Sequence, residues 1–285
     1  MKTKILICSI ALVLFLVSCN KEEPRQESFS TEEISMNAKI DASNNDVQHI
    51  VENQFEVTLA NATLDGVPNP LQLPACAIVT RIPTFGTTPN VGQLISKTIN
   101  FGVNGCALPN GNILKGKITI SFNHNPTAIS HVIAYEFDEF YHNNIRYNGT
   151  KTFVRTMSVA SASNPSHPVA VMNMTMTATF PNGKMITRIG SRTREIIEGY
   201  STSILSDNIW KITGDWTTSF PNANIQTSTI TTPLIVRGNC PNIVRGIITF
   251  VRSSNTATLD YGGDTCDNQA VFTLSGVATN ITLGN

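Results

Sequence analysis

The sequence is short of charge. Asp, Glu, Lys and Arg make up only 14% of its 285 residues, and its 20 basic groups cancel its 20 acidic ones. An ordinary globular domain carries about 25% charged residues. There is no long Lys/Arg run, so the basic face that nucleic-acid phosphates require is missing. Aromatics are sparse at 7%. The longest apolar run, Ile5 to Val17, has 13 residues. A helix needs about 20 to cross the hydrocarbon layer, so no transmembrane helix is expected. Also absent are a GxSxG elbow, an HExxH motif and any CxxC pair. What is present is a 41% hydrophobic fraction, enough for a core, with Thr, Ser and Asn filling the space that charge leaves. That composition excludes disorder and coiled coil and suits a sheet-rich secreted protein.

Lys2 and Lys4 precede the apolar run, and small Ser18 precedes Cys19, which together read as a secretory signal over residues 1–18. Leu16-Val17-Ser18-Cys19 resembles the bacterial lipobox. The resemblance implies cleavage before Cys19, a lipid on its sulfur and acylation of its new amino terminus. Several acyl chains on one residue would hold the protein on a membrane far more firmly than one. Asn20 stands where Gram-negative lipoproteins retained at the inner membrane usually carry Asp, so that likeness implies the outer membrane. Lys21-Glu22-Glu23 resembles the export tag of Bacteroidota surface lipoproteins and equally reads as a solvated charged linker.

With Cys8 in the signal and Cys19 lipidated, four cysteines remain: Cys76, Cys106, Cys240 and Cys266. An even set in an oxidising compartment reads as disulfides. Sequence-local pairing, Cys76 with Cys106 and Cys240 with Cys266, gives loops of similar size, each worth about 3–4 kcal/mol on the chain-entropy account. An internal repeat supports it. Residues 98–106 (Thr-Ile-Asn-Phe-Gly-Val-Asn-Gly-Cys) and 258–266 (Thr-Leu-Asp-Tyr-Gly-Gly-Asp-Thr-Cys) lie at a constant offset of 160, each with its own upstream cysteine. The acids of the second copy, Asp260, Asp264 and Asp267, suggest calcium. Their counterparts Asn100, Asn104 and Ala107 show that acidity is not intrinsic to the unit, so turn chemistry is the favoured reading. No cofactor and no metal is expected.

Residues 19–42 are polar and acidic and read as a flexible tether. Beyond them Val47, Ile50, Val51, Phe55 and Leu59 recur at helical steps, with Ser43 as the expected N-cap. From there on, short Thr-, Ile- and Val-rich runs alternate with turn residues such as Pro181-Asn182-Gly183 and Asn148-Gly149. The fold class expected is all-β: one or two antiparallel sandwich-like domains built from hairpins, with one short N-terminal helix. The first β region is placed in residues 43–160 with the helix, the second in residues 161–285.

Ser191-Arg192-Thr193-Arg194-Glu195, Ile209 to Gly214, Ile230-Thr231-Thr232-Pro233-Leu234 ahead of Cys240, and Leu259 to Asn268 together resemble a family of uncharacterised Bacteroidota lipoproteins. Gly149-Thr150-Lys151-Thr152 fits the same family, and the likeness runs from about residue 71 to the end. It implies an outer-membrane address, with surface exposure, and no activity. Gly262-Gly263-Asp264-Thr265-Cys266 departs from the common Gly-Asp-Gly-Thr-Cys form in turn detail only.

Several constellations carry chemistry in principle. Gly111 to Lys117 has phosphate-loop spacing, but Ile118 stands where Ser or Thr should hold magnesium. Met172, Met174 and Met176 share one strand face, a thioether pattern that suits Cu(I) and suits a buried stripe better. His131, Glu136, Asp138, Glu139 and His142 form the densest titratable set. Glu136 and Asp138 should face away from Glu139, and His142 should lie beyond the strand end, so convergence on an acid/base site needs another segment. Arg188, Arg192 and Arg194 share a face that either binds an anionic partner or is a charged outer face paired with Glu195 and Glu198. Trp210 and Trp216 make either a sugar platform or part of the core. The expectation is a lipid-anchored envelope protein, noncatalytic, binding a glycan or a protein or serving as a structural component. The alternative is an extracytoplasmic hydrolase acting on polysaccharide through carboxylates brought together by folding.

Overall fold

The computed structural model describes residues 29–60, 73–160, 165–202 and 205–283. The expected signal, Cys19 and the first part of the tether lie outside the described residues. One helix, α1 (Thr31–Ala60), is followed by β1 (Ile78–Ile82), β2 (Leu94–Asn100), β3 (Cys106–Ala107), β4 (Ile113–Asn123), β5 (Ser130–His142), β6 (Ile145–Met157) and β7 (Pro168–Thr179). The chain continues through β8 (Met185–Glu198), β9 (Ile209–Ser219), β10 (Ile225–Arg237), β11 (Ile243–Arg252), β12 (Asn255–Gly263), β13 (Gln269–Leu274) and β14 (Val277–Thr282). All pairings are antiparallel, and apart from β3, which pairs only with β4, each strand lies beside its sequence neighbours. The fold is all-β with an N-terminal helix, as the strand periodicity requires.

The strands form a single open sheet. β6 pairs with β7 from Arg146↔Thr179 to Met157↔Pro168, so the two β regions placed on either side of residue 160 are continuous. On the inner face, where a sandwich would set a second sheet, lies α1. Its residues reach from β2, where Lys97 donates to Thr58 at 3.0 Å, to β11, where Arg252 meets Glu33 at 3.0 Å. A sheet that touches one helix from its second strand and from its eleventh must curl around it. The pairs Asp41–Arg192 then Glu52–Arg194 on β8, and Asn44–Lys151 then Glu56–Arg155 on β6, show α1 running in the direction of both strands.

The helix begins twelve residues before the expected Ser43. Its start is a reciprocal cap: Ser30 Oγ accepts from the Glu33 N–H at 3.1 Å, and the Glu33 carboxylate accepts from the Ser30 N–H at 3.2 Å. Residues 31–42, expected as tether, are its first turns, with Ile34, Met36, Ala38 and Ile40 buried, and Ser43 is buried in mid-helix. Phe55 packs edge-on to Phe122 at 4.9 Å. Polar residues are tolerated around the remaining circumference because the sheet supplies partners for them.

On the outer face the threonines line up across strands. Thr98 and Thr119 share a 3.2 Å hydrogen bond, as do Thr177 and Thr187, and Thr231 meets Thr249 at 3.0 Å. β-Branched side chains suit a pleated face, and their hydroxyls satisfy one another there, which is where the threonine-rich composition goes.

Pro181-Asn182-Gly183 makes the expected turn, closed by Phe180 N–H to Lys184 O at 2.9 Å. Asn148-Gly149 does not. It sits inside β6 opposite Thr177 and Met176, and the hairpin turns at Asn143 and Asn144 instead. Gly149 has φ of +121°, and a Cβ there would meet Thr175 O at 2.3 Å, so its glycine serves close strand approach rather than a turn. Both disulfides pair as expected, with Cα separations of 5.9 Å for Cys76–Cys106 and 5.8 Å for Cys240–Cys266. The repeat is structural as well. Asn100 Oδ1 accepts from the Gly102 N–H, and Asp260 Oδ1 from the Gly262 N–H, both at 2.9 Å.

Candidate binding cavity

A set of cations is buried inside the molecule. Arg188, Arg192 and Arg194 lie on one face of β8, as alternation predicts, but that face is the inner one and all three are buried. Arg188 donates to Asp41 at 2.6 Å and to Asn37 Oδ1 at 2.7 Å. Arg192 meets the same Asp41 oxygen, and Arg194 reaches Glu52. The pairing with Glu195 and Glu198 on an outer face is corrected accordingly: Glu195 bonds Lys211 and His167, and the carboxylates for the arginines come from α1. Trp216 and Trp210 are core residues over which these cations stack, Arg192 at 4.2 Å from the Trp216 ring and Arg194 at 4.3 Å from the Trp210 ring. In this fold, then, the three arginines considered for ligand binding are held by the chain's own helix, and the two tryptophans are buried beneath them. Met172, Met174 and Met176 form a buried stripe beside them.

Lys151 on β6 is also buried, between Asn44 Oδ1 and the rings of Tyr135 and Phe137. Desolvation first, then Arg192 and Arg188, lower its pKa from 10.5 to about 7. Burial likewise lowers His49, edge-on to Trp210 at 5.1 Å, to about 4, with Arg194 adding to the effect.

The titratable cluster on β5 separates. Glu136, Asp138 and Glu139 are all exposed, because a register shift with φ of +45° at Glu139 resets the alternation. Asp138 pairs with Lys117, and Glu139 with Arg146. His131 turns inward and its Nε2 meets Asn125 O at 2.9 Å. His142, expected past the strand end, is the last residue of β5, and its Nε2 lies 2.8 Å from Asp46 Oδ2. α1 thus bonds a carboxylate to His142, while it meets His131 through the Phe55 ring at 5.0 Å. Of the acids considered for calcium, Asp260 holds its turn, Asp264 takes Arg237 and Arg245, and Asp267 accepts from the Gln269 N–H. No group of three His, Cys, Asp or Glu able to hold a metal occurs among the described residues. Gly111 to Lys117 leads into strand β4, not a helix.

Beside His142 is a cavity of about 160 Å³. It opens between α1, the β5–β6 turn, the β7–β8 turn and the segment that enters β11. That volume matches an engineered cavity of about 150 Å³ that accommodates benzene, so one six-membered ring fits. Five amide side chains contribute to its wall: Asn45 of α1, Asn112 before β4, Asn143 and Asn144 of the turn, and Asn242 before β11. Phe180, Pro181 and Pro241 supply apolar surface. Lys39 and His142 are its ionisable nitrogen groups, and no carboxylate lines it among the described residues. Asp46 organises the wall from behind, accepting from Asn110 at 2.8 Å, from Asn112 at 2.7 Å and pairing with His142. Tyr261, from the second copy of the repeat, completes the lining, and its buried hydroxyl has no partner among the described residues. Sequence reading named His142 and missed Asp46, Lys39, Asn112 and Tyr261. The only signal for Tyr261 was its place in the repeat, which reads as structural.

No protein family, no curated protein and no solved structure matches the chain.

Proposed function

We propose that this is a lipid-anchored envelope protein with a noncatalytic role, binding a glycan through the cavity beside α1. The observation that carries the reading is the wall itself: neutral amides able to donate and accept, arranged with apolar ring-sized surface in a space that fits one six-membered ring. Saccharides need both, since hydroxyls demand matched donors and acceptors while ring faces bury apolar area. The address rests on the lipobox at Cys19, on Asn20 and on the resemblance to Bacteroidota lipoproteins. Two measurements test it. Labelled palmitate should enter the wild-type chain and not Cys19→Ser. A glycan array probed with the folded protein lacking its signal should give binders that Asn112→Ala weakens. An unlabelled wild-type protein overturns the anchor, and an array without binders overturns the glycan.

The alternative, an extracytoplasmic hydrolase, is favoured by one feature: His142, polarised by Asp46, faces the cavity. Turnover of a polysaccharide panel that His142→Asn abolishes would establish it and end the noncatalytic reading.

A further inference from the structure

The amides of the cavity wall do two different jobs. Asn112 is committed within the wall, donating to Asp46 Oδ2 at 2.7 Å and accepting from Asn143 Nδ2 at 3.0 Å, and Asn143 Oδ1 accepts in turn from the Ile113 N–H at 2.9 Å. Asn45, Asn144 and Asn242 bond no protein group among the described residues, and all three are accessible: Asn144 is exposed and the other two are half-buried. They come from different segments, α1, the β5–β6 turn and the approach to β11. A primary amide carries two N–H donors and an acceptor oxygen, so one side chain can serve two neighbouring hydroxyls. Three such groups around a space for one ring form a grip on its rim, which in a hexopyranose is where the hydroxyls are. Lys39, half-buried and also without a protein partner among the described residues, adds donors to that grip.

The same layout selects which part of a glycan fits. A unit inside a linear polymer is linked through two of its carbons and needs a trough that lets the chain leave on both sides. Here α1, two turns and the entry to β11 surround about 160 Å³, room for one ring and not for a neighbour on either side. A terminal unit has one link and keeps its other hydroxyls free for the amides. We propose that the cavity captures the terminal hexose of a glycan chain end-on, with Asn45, Asn144 and Asn242 bonding its hydroxyls. This rests on the cavity being a glycan site, and it adds the unit recognised, a chain end rather than chain interior, and the side chains that hold it.

Isothermal titration of the folded protein with glucose, galactose, mannose and a linear hexamer of each tests it. At least one monosaccharide should bind in the millimolar range, and its hexamer should match that affinity per chain within about threefold. Asn45→Ala, Asn144→Ala and Asn242→Ala should each weaken that sugar about three- to tenfold, the share of one hydrogen bond. Their melting temperatures should stay near wild type, because none of the three amides holds a protein partner among the described residues. A hexamer that binds about sixfold more tightly per chain, as statistics give when every unit is a site, overturns the chain end and leaves the cavity standing as a glycan site. A hexamer that binds where its monosaccharide does not overturns the single-ring fit. Variants that bind the sugar as well as wild type overturn the amide grip. Silence from all six sugars at about 10 mM overturns the hexose, whereas a glycan array without binders overturns the glycan reading beneath it.

Discussion

Asp41 ties α1 to β8 through two arginines. It is fully buried, its Oδ1 accepts from two arginines four residues apart on one face of β8, and its Oδ2 has no partner among the described residues. Burying three ions is expensive, and their mutual attraction repays it only while all are present. Removing the carboxylate alone leaves two guanidiniums uncompensated, so Asp41→Ala should destabilise by about 3–5 kcal/mol. Denaturant titration checks this, and an Asp41→Leu/Arg188→Met/Arg192→Leu triple variant should recover much of the loss. Lys151 makes a different case because its partner is a neutral amide. With its pKa near 7 in the fold against an ordinary 10.5, the unfolded chain binds the extra proton between those values. Stability from this group is therefore complete above the unfolded value and is lost as pH falls toward about 7. Lys151→Met should raise the melting temperature at pH 7, and the gain should shrink by pH 9.5. A gain that is constant across that range would show that Lys151 is not desolvated as described. The face shared by the three arginines was legible from alternation. Their partners were not, because Asp41 lies 147 residues from Arg188 and nothing local marks the pairing.

At the scale of the element, α1 is a polar helix made possible by its container. Thirty residues of mixed polarity, with a clear apolar stripe only from Val47 onward, would not hold as an isolated helix, because most helical stability comes from packing one hydrophobic face. Here the sheet offers cations to Glu33, Asp41, Asn44, Glu52 and Glu56 of the helix. That is why the N-terminal half escaped sequence reading. Apolar periodicity becomes clear only from Val47, and residues 31–42 have the composition of a linker. The capping box Ser30-Thr31-Glu32-Glu33 was readable in the sequence and does mark the true start. Ser30→Ala should cost about 1 kcal/mol, measured as a shift of the denaturation midpoint at constant slope. Ser43→Ala tests the other N-cap directly: as a mid-helix residue it should not show the loss expected of a cap. The strands were legible because threonine and isoleucine alternate in them. Asn148-Gly149 misled because an Asn-Gly pair signals a turn by its backbone freedom, and that same freedom here admits Thr175 O against a bare Cα.

For the molecule as a whole, the arrangement of charge decides how it unfolds. The sheet is a meander in which strands pair in sequence order, with β3 set aside on β4, so its hairpins are local and readable. The contacts that close it around α1 are not. Glu33 to Arg252 spans 219 residues, and Lys97 to Thr58 ties the second strand to the last helical turns. Neither partner can leave alone: extracting the helix exposes a basic, tryptophan-lined inner face, and opening the sheet strands the buried carboxylates of α1. The two disulfides brace one early and one late segment, each closing a loop worth about 3–4 kcal/mol, and neither crosses from helix to sheet. Cooperativity between helix and sheet must therefore come from the ion pairs and the core. It follows that urea unfolding followed at 222 nm should coincide with unfolding followed by fluorescence of Trp210 and Trp216, both of which sit against cations that α1 neutralises. Reduction should lower both midpoints together. Separate transitions, with helical signal lost first and tryptophan emission unmoved, would mean that the sheet holds its shape without its helix, and that the buried charges on its inner face find water instead.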